Sequence, residues 1–108
     1  MVETVQVQLK KGVLELCVLA LLSTGDAYGY EIANRLAKGI GMGEGTIYPL
    51  MRRMQADGLV ETYLVESPTG PPRKYYRLSA SGRTSLADQG AEWRSFSRAV
   101  DAIVGSAA

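Results

Sequence analysis

The sequence has no histidine among its 108 residues and a single cysteine, Cys17. Histidine is the commonest general base and metal ligand in proteins. One thiol can form neither an intramolecular disulfide nor a multi-thiolate metal site. These absences argue against most hydrolase and metalloenzyme mechanisms, so we expect a protein that is not an enzyme and that holds no cofactor or metal.

The sequence also lacks a large excess of charge of either sign and a long apolar run. Twelve Lys and Arg residues face eleven Asp and Glu residues, a net charge of +1, which excludes a histone-like or membrane-coating protein. The best apolar run, Val13–Leu22, contains Glu15 and falls far short of the ~20 residues needed to span a bilayer. The first residues carry no basic leader segment. We therefore expect one compact, cytoplasmic domain without a membrane partner, and a lone thiol suits that reducing compartment.

Positive charge is nevertheless concentrated in one stretch. Residues 67–85 contain Arg73, Lys74, Arg77 and Arg83 and no acidic residue, around a turn rich in proline and glycine. This pattern is typical of a solvated loop or of a surface that meets an anion such as a phosphate backbone.

Three segments in the first half have helical patterns. Leu9–Leu22 is apolar on nearly every side, which predicts a central buried helix. A second helix is predicted from about Tyr28 to Lys38, followed by a glycine-rich loop over Gly39–Gly45. The third helix is predicted over Thr46–Ala56, with Thr46 as N-cap and a proline in the first turn. Four of its residues repeat on one apolar face: Ile47, Leu50, Met51 and Met54.

The second half predicts a β-hairpin and one long helix. Leu59–Glu66 and Arg73–Ser79 are rich in β-forming residues, and the intervening Ser67–Pro72 predicts a projecting, mobile tip. A helix capped by Ser79 or Ser81 is expected to reach about Gly105. Its apolar seam comprises Leu86, Trp93, Phe96, Val100 and Ile103. About 25 helical residues extend roughly 37 Å, so we expect the seam to pair with the same helix of a second subunit.

This order of elements predicts a mainly α fold with a minor β part, a winged helix-turn-helix. We expect residues 1–79 to form the DNA-binding domain, with a two-stranded wing, and residues 80–108 to form a C-terminal dimerisation helix. The candidate DNA-binding residues are Thr46, Tyr48, Arg52 and Arg53 on the third helix and Arg73 and Lys74 at the wing tip. Two alternatives stay open: Arg52 and Arg53 as solvated helix charges, and Tyr48 packed against the first helix.

Several motifs resemble the PadR family of bacterial transcriptional regulators. They include Tyr28-Gly29-Tyr30-Glu31-Ile32, Gly45-Thr46-Ile47-Tyr48-Pro49-Leu50 and Gly70-Pro71-Pro72-Arg73-Lys74-Tyr75-Tyr76. The resemblance, which covers residues 9 to about 85, implies a homodimeric repressor that uses the third helix and the wing on operator DNA. It also implies a compact subgroup in which the N-terminal and terminal helices form the dimer interface.

The resemblance further implies a flat aromatic or hydrophobic effector at the dimer centre. The candidate interface and ligand residues are Leu14, Trp93, Phe96 and Val100. For Trp93, plain dimer packing is the alternative to ligand binding. We expect a ligand-responsive repressor that releases operator DNA when the effector binds. The competing hypothesis is a winged-helix protein-interaction module without DNA binding, which the near-neutral net charge mildly favours.

Overall fold

The structure is a computed structural model and describes residues 13–107. The described residues form four helices and three strands, and none of these helices is long and apolar enough to cross a membrane. In chain order they are α1 (Leu14–Ser23), β1 (Ala27–Tyr28), α2 (Gly29–Ile40), α3 (Glu44–Ala56), β2 (Val60–Ser67), β3 (Gly70–Leu78) and α4 (Ala80–Ala107). The predicted start of the first helix, residues 9–12, lies outside the described residues.

The hydrophobic core lies between α1, α2, α3 and the inner face of the sheet. The four apolar residues predicted to share one face of α3 are all buried, and five residues of α1 join them: Leu14, Val18, Leu19, Leu21 and Leu22. No polar or charged side chain is buried in the described part of the chain. The predicted winged-helix fold and the apolar face of the third helix are therefore confirmed.

The connection between α2 and α3 is shorter than predicted. Helix α2 continues to Ile40, and Gly41 ends it with a left-handed backbone (φ 70°). Helix α3 then begins at Glu44, so the expected N-cap at Thr46 was wrong. The Gly43 carbonyl accepts the N–H groups of the residues three and four positions later, at 3.1 and 3.2 Å, which starts the helix without a side-chain cap.

Pro49 was predicted to lie in the first turn of the helix. Because α3 begins at Glu44, Pro49 instead lies inside α3. Proline has no N–H, so the carbonyl of Gly45, four residues earlier, loses its usual helical donor. The first turn of α3 also carries the carboxylate of Glu44, which interacts favourably with the helix dipole.

The wing belongs to a three-stranded antiparallel sheet in the order β1-β3-β2, where two strands were expected. The additional strand pairs Ala27 with Tyr76 and Tyr28 with Tyr75. Two residues are too short to show an alternating pattern, so the sequence assigned Tyr28 to a helix. Its backbone is extended (φ −87°, ψ 162°) and its N–H donates to the Glu31 carboxylate at 3.2 Å, at the start of α2.

The tip of the wing is short. Strand β2 ends at Ser67 and β3 begins at Gly70, so the tip is two residues long and the expected six-residue turn was wrong in its length. Val65 pairs with Arg73 and Ser67 with Gly70, which leaves two prolines of β3 opposite one residue of β2. A β-bulge tolerates proline because the ladder is already interrupted there.

Helix α4 starts after Ser79, one of the two predicted caps. The Ser79 hydroxyl accepts the Gly82 N–H at 3.0 Å and donates to the Gly58 carbonyl. This pair of bonds joins the start of α4 to the turn after α3. The helix is 28 residues long, which corresponds to about 42 Å at 1.5 Å per residue, and the longest dimension of the molecule is 56 Å.

Candidate nucleic-acid interface

Helix α3 presents a polar face to solvent because its apolar residues occupy the opposite side. Thr46, Arg52, Arg53 and Gln55 are all exposed on this face. Three of these four, Thr46, Arg52 and Arg53, are among the four predicted DNA-binding residues of the helix. A helix of this kind fits the major groove, where hydroxyl and guanidinium groups reach base edges and phosphates.

Tyr48 is placed differently from the other candidates on α3. It is half-buried against the core, and a Cβ atom added at Gly29 would lie 3.2 Å from its Cε1. Burial, and secondarily the carboxylate of Glu44, raises the pKa of the Tyr48 hydroxyl. Its ring therefore packs on the first residue of α2, a contact with a different helix from the alternative that the sequence left open.

The two wing residues predicted to bind DNA lie on opposite faces of β3. Successive side chains of a strand point to opposite sides, so Arg73 and Lys74 diverge. Lys74 faces α3: its Nζ donates to Gln55 Oε1 at 3.2 Å and lies 5.4 Å from the centre of the Tyr76 ring. The Arg73 guanidinium lies on the outer face, 4.7 Å from the centre of the Tyr28 ring. Neither residue is at the wing tip, where both were predicted.

A row of four tyrosines was not predicted: three of them cross the outer face of the sheet, one from each strand, and Tyr30 of α2 continues the row. The ring centres of Tyr30 and Tyr28, Tyr28 and Tyr75, and Tyr75 and Tyr63 lie 6.3, 5.6 and 5.7 Å apart. Contacts between neighbouring aromatic rings stabilise a sheet. We infer a structural role, because the rings cover one another.

A hydrogen bond and a cation–π contact hold the β2 end of this row. The Tyr63 hydroxyl donates to Asp26 Oδ2 at 2.6 Å, and the Arg77 guanidinium lies 5.3 Å from the centre of the Tyr63 ring. The hydrogen bond to Asp26 is the main reason why the pKa of Tyr63 is raised. Sequence alone could not reveal this row, because it depends on the register of three strands.

Helix α4 exposes much of its apolar seam. Trp93 is 45% exposed, Phe96 65% and Ile103 71%, while Val100 is also exposed. Trp93 and Phe96 line a groove of about 220 Å³ between α4 and the start of α1. The other lining residues are Val13, Leu16, Gln89 and Glu92. Patches of this kind on a small protein mark interaction surfaces.

Leu14, predicted at the interface or ligand site, is placed elsewhere. Only 4% of it is exposed, and it belongs to the core of its own chain. The apolar surface that α1 contributes to the groove comes from neighbouring positions. On a helix with apolar residues on nearly every side, sequence does not show which of them face the chain's own core.

No group of three or more potential metal-ligating side chains occurs among residues 13–107. The exposed surface of the described residues is polar on one face of α3, carries three basic side chains on β3 and is apolar along much of α4. Three helices, of which the third carries an exposed polar face, followed by an antiparallel hairpin, define a winged helix-turn-helix protein.

Comparison with protein-family models assigns the chain to a family. The transcriptional regulator PadR-like family matches residues 18–88. The chain therefore belongs to the PadR-like family of transcriptional regulators, and the resemblance seen in the motifs is confirmed.

Three known proteins illustrate the relationship. The structure of a PadR-like transcriptional regulator from Bacillus cereus is 40% identical, with a TM-score of 0.82, over 90% of this chain and 96% of that chain. An uncharacterized protein X from Lysinibacillus sphaericus is 30% identical over 84% of this chain and 87% of its own length. Bacillus subtilis PadR in complex with operator DNA is 26% identical, with a TM-score of 0.65, over 71% of this chain and 46% of that chain.

Proposed function

We propose that this protein is a homodimeric repressor that binds operator DNA through α3 and the wing. The observation that carries the proposal is the exposure of Thr46, Arg52 and Arg53 on one face of α3. Lys74 is hydrogen-bonded to the last turn of the same helix. The operator complex of the related B. subtilis protein supports this use of the fold.

The proposed contacts divide by chemistry. Arg52 and Arg53 suit base edges and phosphates in the major groove, and Thr46 lies in the first turn, where backbone N–H groups also attract phosphate. Lys74 suits a phosphate contact because an ammonium acts as a point charge. Arg73 plays a smaller part in this proposal, since its guanidinium already stacks on Tyr28.

Residues 80–108 act as the dimerisation helix in this proposal, and residues 1–79 as the DNA-binding domain. The exposed apolar seam of α4 supports self-association, because an isolated chain would leave Trp93, Phe96, Ile103 and Val104 in water. A two-fold axis through α4 would also give two recognition helices for two half-sites of an operator.

The groove beside Trp93 is the proposed effector site. Its volume of about 220 Å³ is below the roughly 300–1,000 Å³ of small-molecule pockets, so one chain supplies only part of a site. A second copy would complete it around the aromatic rings of Trp93 and Phe96. A flat hydrophobic effector bound there would change the spacing of the two recognition helices and release DNA.

A salt titration of DNA binding tests the central claim. Wild-type protein should bind a labelled mixed-sequence duplex with an affinity that falls steeply as salt rises, because bound Lys and Arg release counterions. Arg52→Ala with Arg53→Ala should weaken binding and preserve the circular dichroism spectrum. A well-folded wild-type protein that binds no duplex at low salt would favour the protein-interaction module.

Two measurements on Trp93 test the remaining parts. Trp93→Ala should shift the sedimentation equilibrium towards monomer, since a large ring leaves the interface. Titration of wild-type protein with flat aromatic compounds should quench its one tryptophan. A monomeric wild-type protein would refute the dimer, and quenching absent across the panel would refute the effector site.

A further inference from the structure

The side chain of Gln55 joins the last turn of α3 to both strands of the wing. Its Nε2 donates to the Thr62 hydroxyl of β2 at 3.2 Å, and its Oε1 accepts from Lys74 Nζ of β3, also at 3.2 Å. A primary amide is suited to such a bridge because it offers a donor and an acceptor side by side. One side chain therefore contacts both strands at once.

These two bonds are special among the contacts between the helix and the wing. In the described part of the chain, no other side-chain hydrogen bond connects α3 with β2 or β3. The remaining contacts are apolar and involve the buried face of the helix, including Met54 and Val60. Apolar packing is non-directional, whereas the amide bridge specifies a distance and an orientation.

The Lys74 ammonium can still bind an anion while it is hydrogen-bonded to Gln55. An ammonium has three donors, and the amide of Gln55 takes one of them. The ring of Tyr76, 5.4 Å away, restricts the position of the same ammonium. A lysine with a long flexible stem is thereby kept near the end of α3.

We propose that Gln55 is a positioning residue that holds Lys74, and with it the wing, at a fixed distance from α3. The consequence for DNA rests on the proposed function. Two elements that must reach one duplex together bind more tightly when their relative placement is already set. If Gln55 only competed with phosphate for Lys74, removal of its amide would strengthen DNA binding, whereas positioning by Gln55 predicts that its removal weakens DNA binding.

Amide hydrogen exchange of the free protein tests the positioning itself. Gln55→Met keeps the side-chain length and removes both polar atoms, and Thr62→Val removes one of the two bonds. Both variants should speed exchange in β2 and β3 while α1 and α2 keep their rates. Thr84→Val, an exposed change on α4, is the matched control and should leave wing exchange unchanged. Unaltered wing exchange in Gln55→Met would overturn the proposal.

A double-mutant cycle tests the consequence for DNA. Binding of a labelled mixed-sequence duplex is measured for Gln55→Met, Lys74→Met and the double variant at several salt concentrations. Gln55→Met should weaken binding about three- to tenfold in the wild-type background and much less when Lys74 is already absent. Additive effects, or tighter binding by Gln55→Met, would refute positioning of Lys74.

The two experiments separate the possible failures. If wild-type protein binds no duplex but Gln55→Met still speeds wing exchange, the proposed function fails and the positioning of the wing stands. If wild-type protein binds duplex and the cycle is additive, the proposed function stands and Gln55 does not position Lys74.

Discussion

Gly45 allows a test in which protein stability and DNA binding should change in opposite directions. This residue is the second of α3, has no positive φ, and a Cβ added to it would meet no atom within 4 Å. Nothing within the described chain therefore requires glycine there. Glycine costs a helix roughly 0.5–1 kcal/mol relative to alanine, so Gly45→Ala should stabilise the protein by about that amount.

DNA binding should change the other way. If the first turn of α3 meets a phosphate or a base edge, the added methyl group would separate the two surfaces. We expect Gly45→Ala to weaken operator or duplex binding about tenfold, which corresponds to ~1.4 kcal/mol.

Gly39→Ala is the matched control for this substitution. Gly39 is also helical, exposed and free of neighbours around an added Cβ, but it belongs to α2. Both variants should raise the melting temperature by roughly 2–6 °C in thermal unfolding. Fluorescence anisotropy with labelled duplex should show a loss of affinity in Gly45→Ala alone. Equal affinity for both variants would show that the first turn of α3 does not closely approach DNA.

Three further predictions concern the wing, the start of α4 and alkaline pH. Lys74→Ala should weaken binding to all duplexes alike and reduce the slope of log binding constant against log salt concentration by about 0.9. Arg73→Ala should chiefly lower the free energy of unfolding, by about 0.5–1 kcal/mol. Equal salt slopes for the two variants would contradict their placement on opposite faces of β3. Gly82→Ala should destabilise the fold by about 3 kcal/mol in urea unfolding, because the new Cβ would clash with the Leu59 carbonyl oxygen. An unchanged midpoint of urea unfolding would refute this clash. Because the pKa of Tyr63 is raised in the folded state, its contribution to the free energy of unfolding is complete below the ordinary tyrosine pKa of about 10 and is lost as pH rises through the higher folded value. Tyr63→Phe should remove this alkaline loss when the free energy of unfolding is measured at several alkaline pH values. The same pH profile in the wild-type protein and the variant would contradict the argument.

Periodic apolar residues were the most informative part of the sequence. Ile47, Leu50, Met51 and Met54 recur on one side of a helix, and all four are buried. The long terminal helix was predicted from the same kind of pattern and runs from Ala80 to Ala107. Burial of apolar surface is the main driving force of folding, so a pattern that allows it predicts both an element and its inward face.

Glycine and proline were less reliable as boundaries. Gly39 and Gly45 were assigned to a loop but are helical, and Pro71 and Pro72 were assigned to a turn but lie in β3. Glycine merely permits unusual backbone angles, and proline is accepted wherever its missing donor is not needed. Whether either residue ends an element depends on the surrounding hydrogen bonds.

Local sequence was sufficient for the helices, the hairpin and the polar face of α3, since each depends on residues a few positions apart. The fold as a whole was required to place Arg73 and Lys74 on opposite sides of the wing, to align three tyrosines across three strands, and to bring Gln55 within 3.2 Å of Lys74. Contacts between residues distant in sequence depend on strand register and helix packing. A pattern along the chain carries neither of these, because they arise only when all elements share one core.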